Sequence, residues 1–352
     1  MRHVTQTPTV GRTVDWGFAA TVGVKLTRPA PVTTDYTRDQ ACAQLADSAR
    51  RAELPVREVT LLNEGAEVSE ARVIDRPQWV RAATESMRVM TGGTTASPDG
   101  MAAAIAGRIT GAQTGAVLAF VSSGILGQYD PFGDGGGELL LIYPNIIATE
   151  RQLRVDPADF RLWVCLHEVT HRVQFRANPW LTGHMSQALA VLTDDAGLEV
   201  GDISGRLAEF LRDRRDGDAD PNSQGILGIM RVLQNDEQRR AMDQLLVLGT
   251  LLEGHADHVM DAVGPAVVPS VVTIRNRFDA RRNRSHSPLQ RIIRALLGFD
   301  AKVAQYTRGK KFVDEVVSTV GMKRFNAIWT DAETLPLPTE IDEPRRWIDR
   351  VL

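Results

Sequence analysis

The sequence predicts an α+β protein, predominantly helical, with one small sheet. Three observations carry that expectation. Apolar residues recur at helical spacing in segment after segment. Only one short apolar run, Glu138-Leu-Leu-Leu-Ile-Tyr143, has strand length and strand-like flanks, with glycines before it and Pro144-Asn145 after it. The composition is that of an ordinary globular chain, with 43% hydrophobic and 24% charged residues over 352 positions. That length is ample for a full core without disulfides.

The elements follow in order. Trp16, Ala19, Ala20, Gly23 and Leu26 mark a first helix that stops before Pro29. A second begins at Asp35 and shows Ala41, Leu45, Ala49 and Ala52 on one face. Asp75 caps a third, with Pro77 in its first turn and Trp79, Ala82, Ala83, Met87 and Met90 as its stripe, and Gly92-Gly93 ends it. Residues 110–127 are largely apolar. Gly107, Gly111 and Gly115 fall at i, i+4, i+8 there, a spacing that lets two helices approach closely. Gln113, Thr114, Ser122 and Ser123 interrupt the stretch, so we expect a buried helix with a small-residue seam and no membrane span. After the turn-rich 130–137 loop comes the strand at 138–143. Asp156 then caps a long helix over 157–177, with Pro157 in its first position and Phe160, Trp163, Val164, His167, His171 and Phe175 along one face. Residues 180–214 read as helical and 215–225 as a linker. Asn235 and Gln238 form a capping box for a helix that runs to about Val263, before Gly264-Pro265. An arginine-rich stretch (Arg275 to Arg294), further helix and a proline-rich end from Pro336 complete the chain.

The chemistry concentrates in His167-Glu168-Val169-Thr170-His171, an HExxH motif on the best-defined helix. Histidines four apart lie on one face a turn apart, so both imidazoles can hold one Zn2+. Glu168 follows about 100° round the helix, placed to act on a water without being forced to ligate. A third ligand comes from farther on. Ala177 occupies the position where a compact HExxHxxGxxH motif would have its last histidine, and His184 lies beyond a proline. Glu253 and Asp257, four apart, share an apolar helical face with Met242, Leu246, Gly249 and Met260. Carboxylates in such a stripe are costly unless paired or metal-bound. Glu253 is favoured as the ligand, with Asp257 accepting the free ring N–H of a ligand histidine, His171 by preference. Gly254 is expected to let this helix approach the motif helix closely. His255 and His258 are the competing ligands, but the helical wheel puts them on the opposite side.

This pattern resembles the gluzincin arrangement of zinc metallopeptidases. Over nearly its whole length the chain is similar to a mostly actinobacterial family of hydrolases or zinc-dependent metalloproteases with a zincin-like fold. The matching segments are Val14-Asp-Trp-Gly, Leu126-Gly-Gln-Tyr-Asp130, His167 to Phe175, Pro179-Trp-Leu, Glu253 to Asp261 and Phe325-Asn-Ala-Ile-Trp329. One branch is associated with deazaflavin-coenzyme biosynthesis, and this length suits it. The resemblance implies a zincin-like metalloprotease fold and a metal far better than it implies a substrate.

The expectation is therefore one zincin-like domain, 1–352, in two lobes. Residues 1–178 carry strand 138–143 and the HExxH helix, and a helical lobe, 179–352, carries the third ligand. One Zn2+ per chain would serve hydrolysis of a peptide or amide bond, with Glu168 as general base and Tyr143, His184 or His255 as a supporting electrophile. Strand 138–143 would line the cleft for a peptide or protein substrate. The alternative is a catalytically silent zincin-like binding or scaffold protein. A net charge of -3 argues against a nucleic-acid binder. Two isolated cysteines, Cys42 and Cys165, and no visible leader segment point to a reducing, cytoplasmic setting, and to a metal held by histidine and carboxylate.

Overall fold

The computed structural model describes residues 10–62, 65–95, 100–133, 136–192, 236–282 and 299–352. Residues 193–214 of the expected helical stretch, the expected 215–225 linker, Asn235 of the capping box and Arg284, Arg291 and Arg294 of the arginine-rich stretch lie outside them. Helices dominate: α1 (Trp16–Leu26), α2 (Asp35–Thr60), α3 (Arg76–Met90), α4 (Met101–Val121), α5 (Tyr143–Leu153), α6 (Pro157–Ala177), α7 (Trp180–Leu192), α8 (Asp236–Val263), α9 (Val271–Arg282), α10 (Phe299–Val320), α11 (Met322–Phe325) and α12 (Pro344–Val351). Three short strands, β1 (Ala71–Ile74), β2 (Gly127–Asp130) and β3 (Glu138–Ile142), make one sheet in the order β1-β3-β2.

β3 is the centre of that sheet. It pairs in parallel with β1, Ala71 opposite Leu139 and Ile74 opposite Ile142. It pairs antiparallel with β2, Gly127 opposite Leu141 and Asp130 opposite Glu138. Successive side chains on a strand point to opposite faces. Leu139 and Leu141 join the main core, while Leu140 and Ile142 join a smaller cluster with Ile74, Trp79, Val80 and Leu118. Burial on both faces explains why the run is continuously apolar.

Proline at 144 does not end an element as expected but begins one. It sits in the first turn of α5, where its missing N–H costs nothing. Tyr143 is consequently the first residue of a helix and not the last of a strand. The glycine seam is real: Gly111 and Gly115 of α4 lie against the α1 backbone at Asp15 and Ala19, where a Cβ would collide. The helix starts at Met101, earlier than expected, and its far face stays exposed at Met101, Ile105, Ile109 and Val117. The expected burial thus holds for the seam alone: only 28% of the most apolar window of α4 is buried, and by length and composition the helix is apolar enough to cross a membrane.

α6 runs through the middle of the main core. Its N-cap is the expected one, with the Asp159 N–H donating to Asp156 Oδ1 at 3.0 Å. Buried ion pairs fix its azimuth. Arg161 pairs with Glu150 of α5 at 2.7 Å, and Arg172 pairs with Glu53 of α2. The azimuth matters because it decides which way the two motif histidines face. α8 packs along α6, and α10 packs on the other side of α8. One contiguous core joins Leu45, Leu139, Phe160, Val169, Leu251, Phe312 and Trp347, so side chains from both ends of the chain enclose the motif helix.

Candidate metal centre

His167 and His171 lie one turn apart on α6, and Glu253 enters from α8. The two Nε2 atoms are 3.2 Å apart. Glu253 Oε2 is 3.3 Å from His167 Nε2 and 3.8 Å from His171 Nε2. Among the described residues this is the one set of histidine, cysteine and carboxylate ligand atoms lying within 4.8 Å of one another. His184, His255 and His258 are not part of it. Glu253, and not the competing histidines of α8, is the α8 side chain brought to the two motif histidines.

The three atoms fit a zinc ion. Tetrahedral zinc with bonds of about 2.0–2.1 Å holds its ligand atoms about 3.3 Å apart. The observed triangle has those edges, one of them slightly long. Glu253 Oε2 is buried and accepts no hydrogen bond of good geometry, so a lone pair is left facing the two rings. The side chains of His167, His171 and Glu253 keep 21%, 14% and 21% of their surface exposed. That leaves an approach from solvent, as an open hydrolytic site needs and a closed structural one does not.

The electrostatics favour a cation. Burial opposes a charged imidazole at His167, yet Glu253, Glu168 and Asp257 outweigh it and raise its pKa to about 9. Burial also opposes the Glu253 carboxylate, and the two imidazoles facing it outweigh that and hold it well below its ordinary range.

Glu168 is buried beside β2. A Cβ added to Gly127 would lie 2.7 Å from Glu168 Cδ and 2.9 Å from Oε1. Only glycine leaves room for the carboxylate there. Gly127 belongs to the conspicuous Leu126-Gly-Gln-Tyr-Asp130 segment, and that segment was its only sequence signal.

Several expected supporting roles move. Gln174, one turn after His171, takes the position expected of Asp257: its Oε1 is 2.9 Å from His171 Nδ1. Asp257 acts instead on His167 electrostatically, and its carboxylate faces Arg275 Nη1 at 3.6 Å. His255 is fully buried. Its Nδ1 faces Gln174 Nε2 at 2.9 Å, its ring stacks on Phe325, and burial drives its pKa down to about 3. It is a neutral core histidine outside the His–His–Glu group. His258 pairs with Asp314 of α10 at 2.7 Å. His184 lies against Trp180 at 5.8 Å between ring centres, with its Nε2 buried. Tyr143 sits among Asp75, Cys42, Arg38 and Asp39, away from the His–His–Glu group; burial is the main cause of its raised pKa. Gly254 does allow a close helix crossing, but with Gly309 of α10 and not with the motif helix.

β3 cannot line a cleft as a pairing edge, because both its edges are occupied. β2 is the edge strand that runs past Glu168.

A helix-borne HExxH, a carboxylate brought to it from a later helix, and a small mixed sheet alongside define a zincin-type centre. The sequence matches the zincin-like metallopeptidase family over residues 14–348, and the chain belongs to that family. Among solved structures it is similar to one from Chloroflexus aurantiacus described as "a putative hydrolase with a novel fold". The two share 28% identity, with 96% of this chain and 98% of that one covered at a TM-score of 0.65. None of the curated proteins matches.

Proposed function

We propose that the protein is a zinc-dependent peptidase or amide hydrolase. The observation that carries this reading is the convergence of His167 Nε2, His171 Nε2 and Glu253 Oε2 at zinc-ligand spacing, with Glu168 on the next residue of the same helix. A zinc ion held by these three would polarise the scissile carbonyl and lower the pKa of the attacking water. Glu168 takes the proton from that water and delivers it to the leaving nitrogen. Its burial against Gly127 keeps the carboxylate from swinging away between the two transfers. Among the described residues no strand pairs with the outer edge of β2, which would offer backbone pairing to an extended peptide and carry the scissile bond past Glu168.

Metal analysis of protein prepared without chelator tests the first half of the proposal. One zinc per chain is expected, with loss in His167→Ala. Zinc below about half an equivalent and indifferent to that substitution would sink it. Cleavage of a peptide library by wild type and Glu168→Ala tests the second half. Activity confined to the wild type is expected. Zinc binding without cleavage would favour a scaffold, and equal cleavage by both proteins would reject Glu168 as the base.

A further inference from the structure

Gln174 is fully buried between α6 and α8, and each polar atom of its amide has a partner. Its Nε2 lies 3.0 Å from Leu252 O and 2.9 Å from His255 Nδ1, and its Oε1 lies 2.9 Å from His171 Nδ1. Hydrogen-bond chemistry fixes every proton in this group. A backbone carbonyl only accepts, so the amide NH2 must face Leu252 O. The second N–H of that NH2 donates to His255 Nδ1, which must therefore be bare. Oε1 only accepts, so His171 Nδ1 must carry a hydrogen. In the neutral ring His171 Nε2 is then the lone-pair nitrogen, and it is the atom 3.2 Å from His167 Nε2 and 3.8 Å from Glu253 Oε2.

We infer that Gln174 is a positioning residue: its amide locks His171 in the Nδ1–H tautomer, holds the backbone beside Glu253, and takes its own orientation from Leu252 O and His255. One side chain thus sets both walls of the centre. Leu252 immediately precedes Glu253, so the bond that orients the amide also holds α8 at the height of its ligand. His255 closes the arrangement. Its proton is on Nε2, its ring lies at 24° to Phe325 with 5.4 Å between centres, and Trp329 stands at the same distance. This aromatic packing restrains the ring from turning its N–H toward the amide. With Gln174 wholly buried, no bulk water is available to replace the bonds. The tautomer part of the inference needs no metal; only its consequence for affinity rests on the zinc reading.

Nitrogen-15 NMR of histidine-labelled, metal-free full-length protein reads the tautomers directly, with His171→Ala and His255→Ala supplying the assignments. The wild type is expected to show His171 as Nδ1–H and His255 as Nε2–H. In Gln174→Leu, His171 should populate both tautomers, and zinc affinity measured by chelator competition should fall about 10- to 100-fold. Gln174→Glu keeps the acceptor and the volume but loses the donors. It should keep His171 as Nδ1–H while His255 switches to Nδ1–H, so it remains informative if the leucine variant does not fold. Finding His171 as Nε2–H in the wild type, or His255 unmoved in Gln174→Glu, would overturn the inference. So would wild-type zinc affinity in a folded Gln174→Leu. A wild type with the expected tautomers but no zinc affinity would instead reject the zinc reading and leave the lock standing.

Discussion

Helices α6 and α8 each carry two histidines about one turn apart, and the two pairs do unrelated things. On α6, His167 and His171 bring their Nε2 atoms within 3.2 Å and face a carboxylate that accepts no good hydrogen bond. On α8, His255 disappears into an aromatic box beside Gln174, while His258 hydrogen-bonds Asp314 near the surface. The spacing differs by one residue, i, i+4 against i, i+3, and both spacings suit a chelate. What separates them is the company each ring keeps. A metal site needs several lone pairs left without protons in one place, whereas on α8 the His255 Nδ1 lone pair accepts from Gln174 and His258 Nδ1 turns an N–H to Asp314.

The contrast can be broken most severely at His171. Replacement by alanine should weaken zinc binding by more than about 100-fold, since losing a ligand must cost at least what losing a supporting partner does. Chelator competition measures this, and a loss of similar size in His258→Ala would erase the distinction. Next in size is Gly127→Ala, whose Cβ would force the Glu168 carboxylate aside. Because small displacements of a reacting group are expensive, turnover of a cleaved library peptide should drop by about 100-fold while zinc content is retained. Gly254→Ala strikes the far side of α8, where its Cβ would run into the Gly309 backbone. Overpacking of that kind costs about 1–3 kcal/mol, to be read from denaturant unfolding.

The smallest effect belongs to His258. Its pair with Asp314 is partly exposed, so His258→Ala should cost less than about 1 kcal/mol and leave zinc content unchanged. The pH dependence has a definite sign. Burial tends to raise the Asp314 carboxyl, but Lys310 and His258 outweigh it and hold it below its ordinary value of 3.8. Its stabilising contribution is therefore present above that value and is lost as pH falls through the lower folded one. Unfolding of wild type and Asp314→Asn should differ at pH 5 and converge as the pH falls below about 4. A difference that grows in acid would reverse the assignment.

Residues with strong periodic neighbours were the legible ones. The cap at Asp156, the full extent of α6 and the shared face of Glu253 all follow from the 3.6-residue repeat, and the centre formed where those faces meet. β1 and β2 were invisible. Each has four residues of mixed character and is a strand only because β3 offers it an edge. α5 was missed because a proline that can stop one element can equally start another. Gln174 lies within the segment His167 to Phe175 but carries no signal of its role there, since a glutamine on a helix announces nothing until a carbonyl from another helix decides which way its amide points. Gly127 was hidden for a similar reason, its requirement being set by a side chain far along the chain.

The aromatic packing behind His255 has a consequence for the timing of synthesis. Phe325 stacks on His255 and also meets Trp347 of α12, at 6.3 Å between ring centres. Trp347 is held in turn by its indole N–H donating to Thr334 O at 2.8 Å. While the segment around 344–351 is still within the ribosome, the pocket that steadies His255, and through it Gln174 and His171, has no back wall. A nascent chain can display its histidine motif long before residues 344–351 emerge, so the proposed metal centre would mature only once that segment has joined the fold.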